Sequence, residues 1–382
     1  MSKSYCSLGL MSGTSMDGVD ASIIQSDGET KYEVIIDKYF KYTDNIYKDL
    51  IKLRDKIKTS RDLRKFSKEA VDIEKKLTLF HAEAAKKIIK ETKINVDFIG
   101  FHGQTIFHNA KEKISKQLGD GKLLSDLTKK TVINNFREND LKNGGQGAPL
   151  STIFHKVLVN QNKVDLPACI LNLGGIANVT LIGKKDVFMS RDIGPGNCLI
   201  DEWIRINSKK KYDNEGLIAR SGKIKESTLQ LFQAWYQKKY NNPEIEKVFS
   251  HDTKDFDMSF VKDLSLEDGA ATLTEFTSRV ITSTLLNLLS NFTIQKKLQL
   301  KLWKILFCGG GRKNNYLIKS LKEKMPHNVV FKKVDDYNIN GDFVESQAFA
   351  YLAIRSYLKL PISFPETTGV KKSCTGGVIF KN

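Results

Sequence analysis

Seven residues near the start of the chain, Ser12-Gly13-Thr14-Ser15-Met16-Asp17-Gly18, have the types and spacing to hold a phosphate. Small residues let a tight turn bring backbone N–H groups onto a ligand. Successive N–H groups in such a turn make a nest for anions. Ser12, Thr14 and Ser15 add hydroxyl donors, and Asp17 offers a carboxylate to a phosphate-bound Mg²⁺, directly or through water. The same residues would also serve as a plain β-hairpin turn. Two further glycine turns, Asn172-Leu173-Gly174-Gly175 and Gly309-Gly310-Gly311-Arg312, each follow an apolar run. The second of these opens a helix, whose N-terminus favours phosphate. Each turn alone is a weak signal; the three together point to a nucleotide clasped between two lobes. The chain has neither G-x-x-x-x-G-K-[ST] nor G-x-G-x-x-G, which disfavours P-loop ATPases and dinucleotide oxidoreductases.

The stretch Arg191-Asp192-Ile193-Gly194-Pro195-Gly196-Asn197 places a carboxylate just before a rigid turn. A general base must be held in place in this way. Asn197 is the better N-cap for the following helix, which leaves Asp192 free for chemistry. His102, Gln104 and Thr105 form a polar cluster at the end of a buried strand, a frequent ligand position in α/β folds. A structural role for a lone histidine is the competing reading. Gly144-Gly145-Gln146-Gly147-Ala148-Pro149 reads as a hinge whose Gln146 amide could touch a substrate. Arg137, just before it, could pair with a ligand carboxylate or make a surface ion pair. The other histidines show no metal-ligand spacing.

These residues need a frame. Residues 5–10, 19–24, 32–39, 94–101, 167–173, 176–182 and 304–308 read as strands. Residues 44–57, 61–91, 198–206, 225–240, 269–290 and 343–357 read as helices, as does a segment from Asn314. In the 61–91 segment Val71, Leu77, Phe80, Ala84 and Ile88 fit one face. Strand, glycine turn, strand occurs twice, a weak internal repeat. The pattern implies an α/β protein of two lobes with a cleft between them.

Composition fits this frame. Of the 382 residues, 40% are hydrophobic and 27% charged, an ordinary globular balance that excludes disorder. No run approaches the length of a membrane-spanning helix. The five cysteines form no C-x-x-C pair, and the N-terminus lacks the apolar stretch of a secretory signal, so a cytoplasmic protein is expected. The net charge of +17 invites a nucleic-acid partner. Only ten of the 61 basic residues are arginine, however, and the lysines are scattered. Arginine is the side chain suited to bidentate phosphate and base contacts. The charge therefore argues for general attraction of anionic ligands and against nucleic-acid binding.

Taken together, residues 8–21, 101–105, 118–124, 144–150, 171–180, 192–201, 264–277, 307–312 and 345–353 resemble the anhydro-N-acetylmuramic acid kinase family, almost end to end. That family belongs to the superfamily of acetate and sugar kinases, hexokinase and actin. The resemblance implies a two-lobed actin/hexokinase-like fold with duplicated ribonuclease H-like domains. Residues 1–148 would form the lobe with the phosphate loop and substrate contacts. Residues 149–382 would form the lobe with the catalytic aspartate, its last residues packing back on the first.

The implied reaction uses ATP and Mg²⁺ to open 1,6-anhydro-N-acetylmuramic acid with water and phosphorylate O6, in cell-wall recycling. A kinase of the same fold acting on another sugar without bond hydrolysis is the alternative. By this match residues 12–19, from Ser12 to Val19, are the ATP phosphate loop, and Gly174 and Gly309, Gly310 and Gly311 also meet the nucleotide. Asp192 is the catalytic base, and His102, Thr105, Arg137, Gln146, Asn197 and Glu345 contact the sugar. The resemblance also implies a homodimer. The chain departs from the family pattern in Lys247-Val248-Phe249-Ser250, where Pro-Pro-Lys-Ser is common, and in Asn135, where aspartate is frequent.

Overall fold

The computed structural model describes residues 3–184, 187–240, 250–297 and 302–382. The departure at residues 247–249 lies outside the described residues. The chain divides into two compact units, Met1–Val164 with Asp342–Asn382, and Asp165–Gly341. The sequence-based cut at 148/149 falls inside the first unit. The helix Thr152–Gln161 stays there, and its Gln161 amide pairs with both backbone groups of Tyr32, accepting at 2.9 Å and donating at 2.7 Å.

In the first unit β1 (Tyr5–Ser12), β2 (Gly18–Ser26) and β3 (Tyr32–Lys41) run antiparallel in sequence. β4 (Phe98–Asn109) joins the other edge of β1 in parallel, with β5 (Ile114–Leu118) paired to its far end. β6 (Thr131–Asn134) lies parallel to β4, and β12 (Val378–Phe380) closes that edge antiparallel. β1 is almost wholly buried because helices cover both of its faces. Leu8 and Leu10 share one buried core with Leu77, Ala85 and Ile88 of the helix Ser67–Thr92. Gly9 faces the other way. A Cβ there would strike the carbonyl of Ser346, and one on Gly100 of β4 the carbonyl of Phe349. These two glycines let the helix Val344–Tyr357 approach the sheet backbone closely.

The second unit repeats this plan. β7 (Ala168–Leu173), β8 (Ile176–Ile182) and β9 (Phe188–Pro195) run antiparallel, and β10 (Trp303–Cys308) and β11 (Val329–Lys333) continue in parallel from β7. Its strand order, β11-β10-β7-β8-β9, matches β6-β4-β1-β2-β3. The weak repeat in the sequence is thus a duplicated α/β sheet.

Two local expectations change. The helical segment 61–91 is two helices, Ser60–Lys65 and Ser67–Thr92, broken at Phe66, which leaves helical geometry at ψ 19°. Val71 is 60% exposed. The buried face runs through Ala70, Ile73, Leu77, Ala85 and Ile88, one position away from Val71. Among the described residues no helix is long and apolar enough to cross a membrane.

Candidate functional site

The turn between β1 and β2 is anchored by its carbonyl groups. Gly13 O accepts from the Gln104 side chain at 2.9 Å and from Met16 N at 3.2 Å. Asp17 O accepts from Tyr42 N at 2.9 Å and from the Tyr39 hydroxyl at 3.0 Å. Met16 turns the chain through φ 56° and buries its side chain. Among the described residues no protein acceptor meets the amides of Thr14 and Ser15. Carbonyls taken up by the protein and amides left without a protein acceptor are the arrangement that an anion needs.

The hydroxyls are less available than their number suggests. Ser12 is 1% exposed, with its oxygen 2.6 Å from the Tyr42 hydroxyl and 3.2 Å from His81 Nε2. His81 Nδ1 lies 2.8 Å from the Leu77 carbonyl oxygen. A carbonyl only accepts, so Nδ1 carries the proton. Burial pushes the imidazole pKa down to about 4, and Nε2 is then an acceptor at neutral pH. Ser12 donates to His81, and Tyr42 donates to Ser12. Ser15 donates to Asp17 Oδ1 at 2.5 Å. Thr14, which is exposed, is the remaining hydroxyl of the three.

Beside the turn lies an acidic group that sequence reading missed. Asp20 of β2 has its pKa raised to about 8, first by burial and then by the carboxylates of Glu345, Asp17, Asp342 and Asp37. The signal in the sequence was an acid between the apolar residues Val19 and Ala21 of a largely buried strand. Glu345, expected at the substrate, is therefore placed near Asp20.

His102 is the extra residue of a bulge in β4, since Leu10 pairs with Phe101 and Met11 with Gly103. Its Nε2 accepts from Arg137 Nη2 at 2.9 Å, and its Nδ1 donates to Gly103 O at 2.8 Å. Arg137 Nη1 donates to Gly147 O at 2.7 Å. Thr105 Oγ1 accepts from the Gln117 side chain at 3.1 Å. Gln146 donates its backbone N–H to Thr368 O at 2.9 Å.

In the second unit the other expected residues gather at the tips of β7, β9 and β10. Asp192 is 7% exposed, and its Oδ2 accepts from His251 N at 2.8 Å. Ala177 pairs with Gly194 and Asn178 with Asp192, so Ile193 bulges out directly after the aspartate. The rigid turn expected at 191–197 is thus a bulged strand that runs to Pro195, and the bulge is what re-aims Asp192.

Asn197 stands at the N-cap of the helix Cys198–Asn207, but its side chain does not cap. It donates instead to the carbonyls of Leu173 and Gly174, both at 3.3 Å. Gly174 O and Gly175 O also accept from the backbone amides of Asn197 and Gly196. Gly309 takes φ 77°, and a Cβ on Gly311 would press on Asn197 and Leu173. The three glycine segments of this unit are therefore packed against one another. His251 was not foreseen, because it acts through its backbone amide. Among the described residues no group of three or more His, Cys, Asp or Glu side chains could by itself hold a metal ion.

Comparison with known proteins fits this geometry. The model of the family "Anhydro-N-acetylmuramic acid kinase" matches residues 5–382. The chain is 55% identical to a protein of that name from Pelagibacter ubique, with 100% of both chains covered. It is 37% identical to one from Zymomonas mobilis, over 97% of this chain and 98% of the relative. One from Agrobacterium fabrum is 35% identical, over 98% of each. With matches that span the glycine turns, Arg137 and Asp192 alike, this chain belongs to the anhydro-N-acetylmuramic acid kinase family.

Proposed function

We propose that this kinase opens the internal ring of 1,6-anhydro-N-acetylmuramic acid with water and phosphorylates the freed O6 from ATP. The products are N-acetylmuramic acid 6-phosphate and ADP. The observation that carries the reading is Asp192, buried on a bulged strand with one carboxylate oxygen tied to the His251 amide. It takes a proton from water as the water oxygen bonds to the anomeric carbon. The bond from that carbon to O6 breaks, O6 bonds to the γ-phosphorus, and the bond from that phosphorus to ADP breaks. A usual glycosidase needs a second carboxyl group to protonate its leaving oxygen. Here the phosphoryl group takes that oxygen, so one carboxylate suffices.

The amides of Thr14 and Ser15 receive the ATP phosphates, with Thr14 adding its hydroxyl. Gly310, where a Cβ would meet no protein atom within 4 Å, leaves room for the nucleotide, while Gly309 and Gly311 are packed against Asn172, Leu173 and Asn197. Arg137 meets the lactyl carboxylate of the sugar. Thr105 and Gln146, in the same unit as Arg137, contact the sugar there.

Mg²⁺ suits the donor set. Asp17 and Asp20 would offer hard oxygen donors, and a cation would offset the carboxylate crowding that, after burial, raises Asp20. Held by these residues, Mg²⁺ would supply neutralisation of charge on the phosphoryl group.

The protein acts in the cytoplasm as a homodimer, the state that light scattering on the purified chain tests. The reaction is tested by incubating the chain with ATP, Mg²⁺ and the anhydro-sugar and weighing the product. Added phosphate and added water together are expected. Phosphate without water would replace this reading with simple phosphorylation of a hydroxyl.

A further inference from the structure

Arg137 is held by more than its own position. His102 Nδ1 donates to Gly103 O, so the lone pair of Nε2 faces the guanidinium, taking N–H groups from Nη2 at 2.9 Å and Nε at 3.3 Å. Burial, followed by the adjacent positive charge of Arg137, keeps His102 neutral, as this contact requires. On the other side Gly147 O accepts from Nη1 at 2.7 Å. That carbonyl sits in a loop fixed at successive residues. Lys113 Nζ donates to Gly144 O at 2.8 Å and to Gly145 O at 3.1 Å, and Gln146 N donates to Thr368 O at 2.9 Å.

The central post of the loop is Asp140, which is fully buried. Its Oδ1 accepts from Gly147 N at 2.6 Å, and its backbone carbonyl accepts from Gly145 N at 2.9 Å. Gly147 needs its φ of 76°, and a Cβ on Gly145 would collide with the Asp140 carboxylate. Asp140 Oδ2 has no hydrogen-bond partner among the described residues. A buried carboxylate with an unpaired oxygen is costly to keep. Packing alone would be better served by an apolar side chain, so its presence points to a role in placing Gly147.

We propose that Asp140, through Gly147, and His102 are positioning residues that fix the Arg137 guanidinium from two sides, and that this fixed aim makes the site selective for a sugar bearing a carboxylate. The inference rests on the reading that Arg137 meets the lactyl carboxylate. It also gives His102 a different task from direct contact with the sugar, because both of its ring nitrogens are engaged within the protein.

The test is calorimetric binding of 1,6-anhydro-N-acetylmuramic acid and of its carboxamide to the full chain. The ratio of the two affinities reports on carboxylate recognition. Asp140→Ala is expected to weaken binding of the acid about tenfold and to leave the carboxamide unchanged, as expected for a misplaced binding group. Asp140→Asn, which retains an oxygen for the Gly147 amide, is expected to restore the ratio. Retention of the ratio in Asp140→Ala, with its loss in Arg137→Met, would overturn the positioning role while leaving the Arg137 reading intact. Equal weakening of both ligands would mark a merely structural part and also overturn it. Retention of the ratio in Arg137→Met would overturn the Arg137 reading itself. If Asp140→Ala does not fold, His102→Leu decides by the same ratio.

Discussion

The two units share a strand order but use their first turn in opposite ways. Between β1 and β2 five residues, from Gly13 to Asp17, separate the strands, and their carbonyls are tied to Gln104, Tyr39 and Tyr42. Between β7 and β8 only Gly174 and Gly175 intervene, and their carbonyls accept from Gly196, Asn197 and Cys198 of the same unit. The longer turn leaves the amides of Thr14 and Ser15 without a protein acceptor among the described residues. The shorter one is consumed in holding the chain that follows Asp192. Duplication of a fold thus leaves one turn with open amides and the other as a brace for the strand end that carries Asp192.

Breaking the brace at its purpose gives the largest effect. Asp192→Asn is expected to cut kcat about a thousandfold, within the range for loss of a general base, with KM for ATP unchanged. Steady-state kinetics with the anhydro-sugar checks this, and near-normal turnover would remove Asp192 from the base role.

A pair of glycine substitutions sharpens the contrast between the turns. A Cβ on Gly196 would strike the Gly174 carbonyl, whereas a Cβ on Gly13 would come no closer than 4.0 Å to another residue. Gly196→Ala is expected to cost about 2–3 kcal/mol of folding stability by overpacking. Gly13→Ala should leave stability within about 0.5 kcal/mol while raising KM for ATP. Urea unfolding and kinetics on both variants separate brace from receptor; the reverse assignment would sink the distinction.

The smallest effect concerns the floor of the longer turn. His81 falls from its ordinary value of 6.5 to about 4 on burial. Between those values the unfolded chain binds more protons than the folded one, so stability drops as pH falls from 6.5 towards 4. A single such histidine contributes a slope of up to about 1.4 kcal/mol per pH unit within that window. His81→Gln should make the fall shallower by about that amount in urea titrations at pH 7, 6 and 5. An unchanged slope would show that His81 does not contribute.

Local patterns were readable where chemistry follows the chain. The apolar runs of β1, β7 and β10, the helix after Asn197 and the glycine turns all rest on neighbouring residues. What was not legible depends on partners brought from afar. Ser12 meets His81 across 69 positions, and the Asp192 carboxylate meets a backbone amide 59 positions away. No side-chain pattern marks a backbone donor. The break at Phe66 escaped periodicity because apolar spacing continues through it. Asp140 was hidden as an ordinary acid of a short polar helix, since its burial comes from Gly145, Gly147 and the returning segment near Val370.

That returning segment has a consequence for synthesis. The helix Val344–Tyr357 covers Gly9 and Gly100, so the unit begun first on the ribosome is finished last. The unit of Asp165–Gly341 is continuous and has all its strands before that helix emerges. The nascent chain therefore carries an open β1–β4 face, a surface prone to wrong pairing, through the making of its whole second half. Truncation after Gly341 would leave the later-made unit with its full sequence and the earlier one uncovered.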